Sequence, residues 1–203
     1  MHPNPAYRNS TRAQHLELAH TRGFGTLAVS GEPFPMLSHV PFVVEGEAVD
    51  LHLVRSNPIA RALASGPLGA VLAVQGPDGY VSPDWYGAPE QVPTWNYVAV
   101  HLRGRLSLRE SGTLRPHLEA LSARFEGALP KPPWTLSKVP AEALAKLERM
   151  ILPVRLAIEE TDGTWKLGQN KPEAMRLGAA AAIEGSLGAE LAALAALMRA
   201  PPD

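Results

Sequence analysis

The sequence contains no cysteine, which rules out disulfides, iron–sulfur clusters, thiolate zinc sites and a cysteine nucleophile, and which fits a reducing compartment. An excess of charge is missing too. With 19 Lys and Arg against 20 Asp and Glu the net charge is −1, so no global basic field draws nucleic acid to the chain. No window approaches ~18 uninterrupted apolar residues, and the opening MHPNPAYRNSTRAQHLELAH has no apolar centre of the signal-peptide type. A soluble cytoplasmic protein without a membrane span is expected. The patterns of a nucleophile elbow, a P-loop, a Rossmann turn and a helical His pair for zinc are all absent from the sequence.

What is present is a globular composition, 45% hydrophobic and 19% charged over 203 residues, enough for one domain or one domain with a small appendage. The most unusual stretch is GPDGYVSPDWYGAPEQVPTWNYVAVH, Gly76 to His101, with Trp85, Trp95, Tyr80, Tyr86 and Tyr97 interleaved with Pro77, Pro83, Pro89 and Pro93. Four prolines fix φ and remove backbone donors, so an ordinary helix is excluded, and the segment is too aromatic for a disordered linker. An ordered loop feeding a strand is expected, and loops rich in amphipathic aromatics line sites.

Along the chain, Thr11 and Gln14 have the form of a capping box for a first helix that ends at Gly23. The period then changes. Phe24–Ser30, Met36–Val44 and Ala48–Val54 read as an antiparallel meander separated by GEP and EGE turn signals, and Asn57-Pro58 opens a short helix with Asn57 as N-cap. Gly69–Gln75 reads as a buried strand and Tyr97–Leu108 as a long one. Leu114, Leu118, Leu121 and Phe125 fall at helical spacing, LPKPPW separates that helix from another over Ala141–Arg149, and Leu152–Glu160 is a strand that an Asp162-Gly163 turn closes onto Thr164–Leu167. From Pro172 the tail is Ala-rich and helical, broken at Gly185 and Gly188, and its stripe of Leu187, Leu191, Leu194 and Leu197 suits packing or a dimer surface. Six or seven strands with short connections and peripheral helices predict a mainly β, α+β protein: a closed or partly closed antiparallel barrel over 1–171 and a helical appendage over 172–203.

Seven histidines raise the question of a metal, but His39, His52 and His101 fall on separate strands without ligand spacing, and hydrogen-bonding roles suit them better. Ser38 and Ser82 are the serines in attractive settings, with no base placed beside either. Arg55-Ser56-Asn57-Pro58 joins a strand to a helix start, where N–H groups, a hydroxyl and a guanidinium can converge on a phosphate; the alternative is an ordinary N-cap beside a surface arginine. A second polar group, Lys166, Gln169, Asn170 and Lys171, is either a site or a solvated turn.

Five segments, SHVPF (38–42), LHLVRSNP (51–58), QGPDGYVSPDWY (75–86), VPTWNYVAVHLRG (92–104) and WKLGQNK (165–171), closely resemble the PaiB family of FMN-binding negative transcriptional regulators, in the family's order and over nearly the whole chain. The resemblance implies a flavin-binding split barrel acting as a homodimer with FMN at the subunit interface. It further implies that Arg55, Ser56 and Asn57 form the phosphate side, that Ser38 and His39 face the same pocket, that Asn96 bonds the isoalloxazine edge, and that Lys166 and Gln169 reach across from the other subunit. The chain departs from the family pattern at Val54, where a small residue is usual, at Gly168, where serine is usual, and at the Met1-His2 opening.

The kinship implies a transcriptional regulator, yet no helix-turn-helix is visible, and AMRLGAAAAIEG is short of base-reading and phosphate-binding side chains. Direct DNA binding therefore rests on kinship alone. The alternatives are an FMN-dependent oxidoreductase or flavin reductase acting on a small molecule, with the cofactor carrying the reactivity, and a flavin carrier without turnover.

Overall fold

A computed structural model describes residues 1–202. Seven strands, β1 Phe24–Val29, β2 Met36–Glu45, β3 Ala48–Val54, β4 Leu68–Val81, β5 Thr94–Leu108, β6 Ile151–Lys166 and β7 Gly188–Ala189, are hydrogen-bonded in the order β1-β2-β3-β6-β5-β4-β7. An added β1–β4 pairing closes the first six into an antiparallel barrel. Six α-helices accompany it: α1 Arg12–Arg22, α2 Pro58–Ala62, α3 Leu114–Gly127, α4 Ala141–Glu148, α5 Glu173–Ala182 and α6 Leu191–Arg199. The mainly β barrel with peripheral helices is the architecture the sequence predicts. No helix is long and apolar enough to cross a membrane among the described residues.

The chain divides into two compact units, one of Met1–Leu18, Val74–His101 and Asp162 onward, the other of Ala19–Ala73 and Leu102–Thr161. In the second, side chains alternate in and out along the strands, as the period-two geometry of a pleated strand requires. Leu27, Phe42, Leu51, Leu72, Leu102 and Leu156 are fully buried, while Asp50 and His52 lie on the opposite face of β3 from Val49, Leu51 and Leu53. Register is fixed by pairs such as Leu27↔Ser38, Phe42↔Leu51 and Asp50↔Arg155. The last of these is also an ion pair. Arg155 donates Nε to Asp50 Oδ1 and Nη2 to Oδ2, both at 2.6 Å, and Arg109 Nη1 adds a third bond at 2.7 Å.

In the first unit Thr11 and Gln14 form the reciprocal capping box, with Thr11 N donating to Gln14 Oε1 at 2.6 Å and Gln14 N to Thr11 Oγ1 at 3.2 Å. The tail helices pack on each other and bury Ala179, Ala180, Ile183, Leu194, Ala195 and Met198 completely. Ahead of α6, β7 adds a short strand to the edge of β4 through Asp78↔Ala189 and Gly79↔Gly188. Within the Leu stripe of the tail, Leu194 is buried and Leu187 is exposed.

Two elements differ from the sequence reading. β4 continues through Gly76–Val81, so the first part of the aromatic segment is strand rather than loop. And Asp162-Gly163 is no hairpin turn: β6 runs unbroken from Ile151 to Lys166. The glycine is there for space. A Cβ on Gly163 would come within 2.3 Å of His15 Nε2 and 2.6 Å of the Trp165 ring, and glycine inside a strand marks such close approach. His15 itself stacks on Trp165 with ring centroids 5.6 Å apart. Gly163→Ala is therefore expected to lower stability by about 2–3 kcal/mol through overpacking, read as a drop in the urea midpoint at unchanged m-value; an unchanged midpoint would show that the stack yields freely.

Candidate functional site

Two groups of polar side chains stand out, one in each unit. In the second unit, Asn57 is the N-cap of α2, accepting from Ile59 N at 2.9 Å, and its Nδ2 donates to Ser38 Oγ at 3.0 Å across to β2. This bond joins two of the expected site residues and fixes the strand end against the helix start. Arg55 is exposed; its Nε donates to Arg149 O at 2.6 Å, and its terminal nitrogens make no bond with another described residue. Ser56 is exposed beside it. The result is a guanidinium braced at one nitrogen and open at two, next to a hydroxyl. His39 is also exposed, but it follows Ser38 on β2, and successive strand residues point to opposite faces. The structure thus brings Ser38 to Asn57 and directs His39 away from Ser38.

In the first unit the chain encloses a cleft of about 240 Å³, lined by Asn96, Lys166, Lys171, Thr94, Tyr7 and Tyr86 among others. Asn96 is 1% exposed on β5, with Nδ2 3.5 Å from Met198 Sδ, a weak acceptor. Lys166 ends β6 and bonds Thr94 Oγ1. Burial holds its amine below the ordinary lysine range. Lys171 Nζ donates to Gln91 Oε1 at 2.7 Å and lies 5.3 Å from the centre of the Tyr86 ring. Gln169 is committed locally, accepting from Leu167 N at 2.8 Å and donating to Trp165 O at 2.5 Å. It shapes the turn that carries Lys166 and Lys171. Within that turn Gly168 has φ +82°, a conformation that serine adopts only with strain, which accounts for glycine at the position where the resemblance leads one to expect a hydroxyl.

The aromatic segment is ordered by one carboxylate. Asp78, 8% exposed, accepts from Trp95 Nε1 at 2.9 Å and from Gln75 Nε2 at 2.7 Å, and Tyr80 meets Trp95 edge-on. Ser82 caps the turn Pro83–Tyr86 by accepting from Asp84 N. Asp78, Thr94, Tyr7 and Tyr86 were not among the site residues expected from sequence; Tyr86 and Lys171 carried a signal in their segments, whereas Tyr7 carried none.

A family model described as "Putative FMN-binding domain" matches residues 1–160. The chain is similar to the protease synthase and sporulation protein PAI 2 of Bacillus subtilis, 27% identical over 175 residues that cover 83% of each protein. Among solved structures it is similar to an FAD and heme binding protein from Mycobacterium smegmatis, at 19% identity and a TM-score of 0.62, covering 90% of this chain and 82% of that one. A second, a conserved hypothetical protein from Mycobacterium tuberculosis, gives 15% identity, a TM-score of 0.58, and coverage of 82% and 92%. These two likenesses speak for the fold.

Proposed function

From the premise that the chain belongs to the FMN-binding domain family, we propose that it is a PaiB-like split-barrel protein that works as a cytoplasmic homodimer with FMN held at the interface of the two copies. The observation that carries the reading within the chain is Arg55, whose guanidinium is anchored through Nε and open at both terminal nitrogens beside Ser56. Those donors fit a phosphomonoester, which favours charge-assisted bonds. Asn57 and Ser38 hold the segment in place. Asn96 and Lys166 line the cleft of the first unit rather than the Arg55 group, with Gln169 as the residue that positions Lys166, and His39 on the outer face of β2 is available to the second copy. When bound, FMN supplies hydride or one-electron chemistry; the protein supplies orientation and charge.

Arg55→Ala is expected to weaken FMN binding by about 1.5–3 kcal/mol, measured by quenching of flavin fluorescence on titration. Unchanged affinity would remove Arg55 from the site.

Of the activities open to such a protein, an FMN-dependent oxidoreductase is favoured as the second reading by the lysine-lined cleft, which offers a place for a reaction partner. Direct DNA reading has less behind it. In α5 the one arginine, Arg176, donates to Met198 O and Arg199 O and is not presented outward as a phosphate contact. The readings separate in solution. A repressor retards promoter DNA with steep salt dependence, an oxidoreductase bleaches its flavin with a reduced nicotinamide and passes the electrons on, and a carrier does neither.

A further inference from the structure

Lysines in protein interiors are normally matched by a carboxylate, because taking an ammonium out of water without a partner is costly. The cleft of the first unit breaks that rule twice. Lys166 and Lys171 are both half-buried and both line it, yet neither makes an ion pair with any described residue, and among the described residues no Asp or Glu lines the cleft. Their protein partners are neutral, Thr94 and Gln91. Each ammonium has three donors and uses one in this way, so two on each remain. Beside them the carboxamide of Asn96, almost fully buried, has one of its two N–H donors against the Met198 thioether and leaves the second N–H and the acceptor Oδ1 without a bond to a described residue. The hydroxyls of Tyr7 and Tyr86, on buried side chains, likewise make none, and burial raises the pKa of both. Among the described residues the site therefore presents ammonium, amide and hydroxyl donors and no carboxylate.

We propose that this cleft binds a small organic carboxylate, its anionic head between Lys166 and Lys171 and its body against the Tyr86 ring, as the second ligand of the flavin protein. At about 240 Å³ the space falls below the roughly 300–1,000 Å³ of clefts that take drug-sized molecules, so the occupant is smaller than a flavin. The start of α5, which follows Lys171, offers little to a phosphate, with Pro172 as N-cap and its own Glu173 in the first turn. That favours a carboxylate over a phosphate. That this ligand is the second one rests on the flavin reading; the cleft itself does not. None of Ser38, His39, Arg55, Ser56 or Asn57 lines the cleft.

The test is calorimetric titration of the full chain with benzoate and, as its uncharged counterpart, benzamide, with and without saturating FMN. Benzoate is expected to bind saturably and at least about tenfold more tightly than benzamide, the size of one charge-assisted bond. Lys166→Met and Lys171→Met are each expected to lose about tenfold or more, while Lys138→Met, an exposed lysine of the other unit, changes nothing. Benzoate affinity should also fall as pH rises through the lowered Lys166 pKa. Equal binding of benzamide, or full benzoate affinity in both cleft variants, overturns the inference; if one variant fails to fold, the other and the benzamide comparison still decide. Exclusion of benzoate by FMN overturns it too, because the lysines would then serve the flavin. Benzoate binding in a protein that takes no FMN overturns the flavin reading and leaves the carboxylate site standing.

Discussion

A chain ending at Lys171 is expected to lose the fold of its first unit, with a melting transition that disappears or falls by well over 10 °C, rather than to behave as a barrel relieved of an appendage. Ile183, Leu194 and Met198 are fully buried, and each such side chain contributes about 1.5–3 kcal/mol on burial. Their combined loss is of the order of a whole domain's net stability, about 5–15 kcal/mol. Removal also strips the edge of β4. Tyr80 N donates to Leu187 O at 2.8 Å and Ser186 Oγ donates to Tyr80 O at 2.7 Å, and Asn96, on the cleft wall, loses Met198. Circular dichroism melts of the full and shortened chains, with FMN titration of each, make the test. A shortened chain that melts normally and holds FMN would establish 172–203 as a separable appendage.

The case of the tail shows what can be read from a sequence and what cannot. Features that depend on neighbours in the chain were legible: Thr11 with Gln14, Asn57 before Pro58, and the period-two runs of β1, β2 and β3 all carry their cause within a few residues. Features that depend on distant contacts were not. Gly163 reads as a turn residue until His15 is placed against it, and Gly188-Ala189 has no strand pattern, being paired only because α5 returns the chain to β4. On α3 the apolar spacing singled out Leu118 and Leu121, yet besides Leu114 it is His117 that is buried, its ring meeting His52.

The same division holds for the candidate site. Arg55, Ser56 and Asn57 are consecutive, so their shared setting was visible at once. Lys166 finds Thr94 and Lys171 finds Gln91 across 72 and 80 residues of chain, and no spacing rule anticipates that convergence. Pairing Ser38 with His39 overlooked the alternation of a strand, which sets adjacent side chains on opposite faces.

The second unit is expected to be acid-labile in two steps. His117, 6% exposed, shares a bond with His52, Nδ1 to Nε2 at 3.1 Å, and its own Nδ1 has no partner. Burial, the neighbouring His52 and Arg109 together outweigh the attraction of Asp50 and push its pKa down to about 4; burial lowers His52 as well. A histidine whose folded pKa lies below its unfolded value near 6.5 binds its proton more readily in the unfolded chain. The contribution of His117 is therefore fully present above about pH 6.5 and declines as pH falls toward 4, by about 2–3 kcal/mol. Asp50 titrates with the opposite sense and lower down. Burial opposes its ionisation, but the hydrogen bonds and charge of Arg155, helped by Arg109, hold the carboxyl below the usual aspartate range. Its contribution persists through the histidine window and is lost only below the unfolded aspartate pKa of about 3.9. Urea unfolding at a series of pH values from 7 to 3 should show both declines. His117→Leu should remove most of the upper decline, leaving the share of His52, and leave the lower one; at pH 7 the removal of a buried nitrogen without a partner offsets part of the loss of the bond to His52 Nδ1. If the variant kept the full decline between pH 6.5 and 4, the proton uptake would belong to other groups and the His52–His117 pair would have no part in acid unfolding.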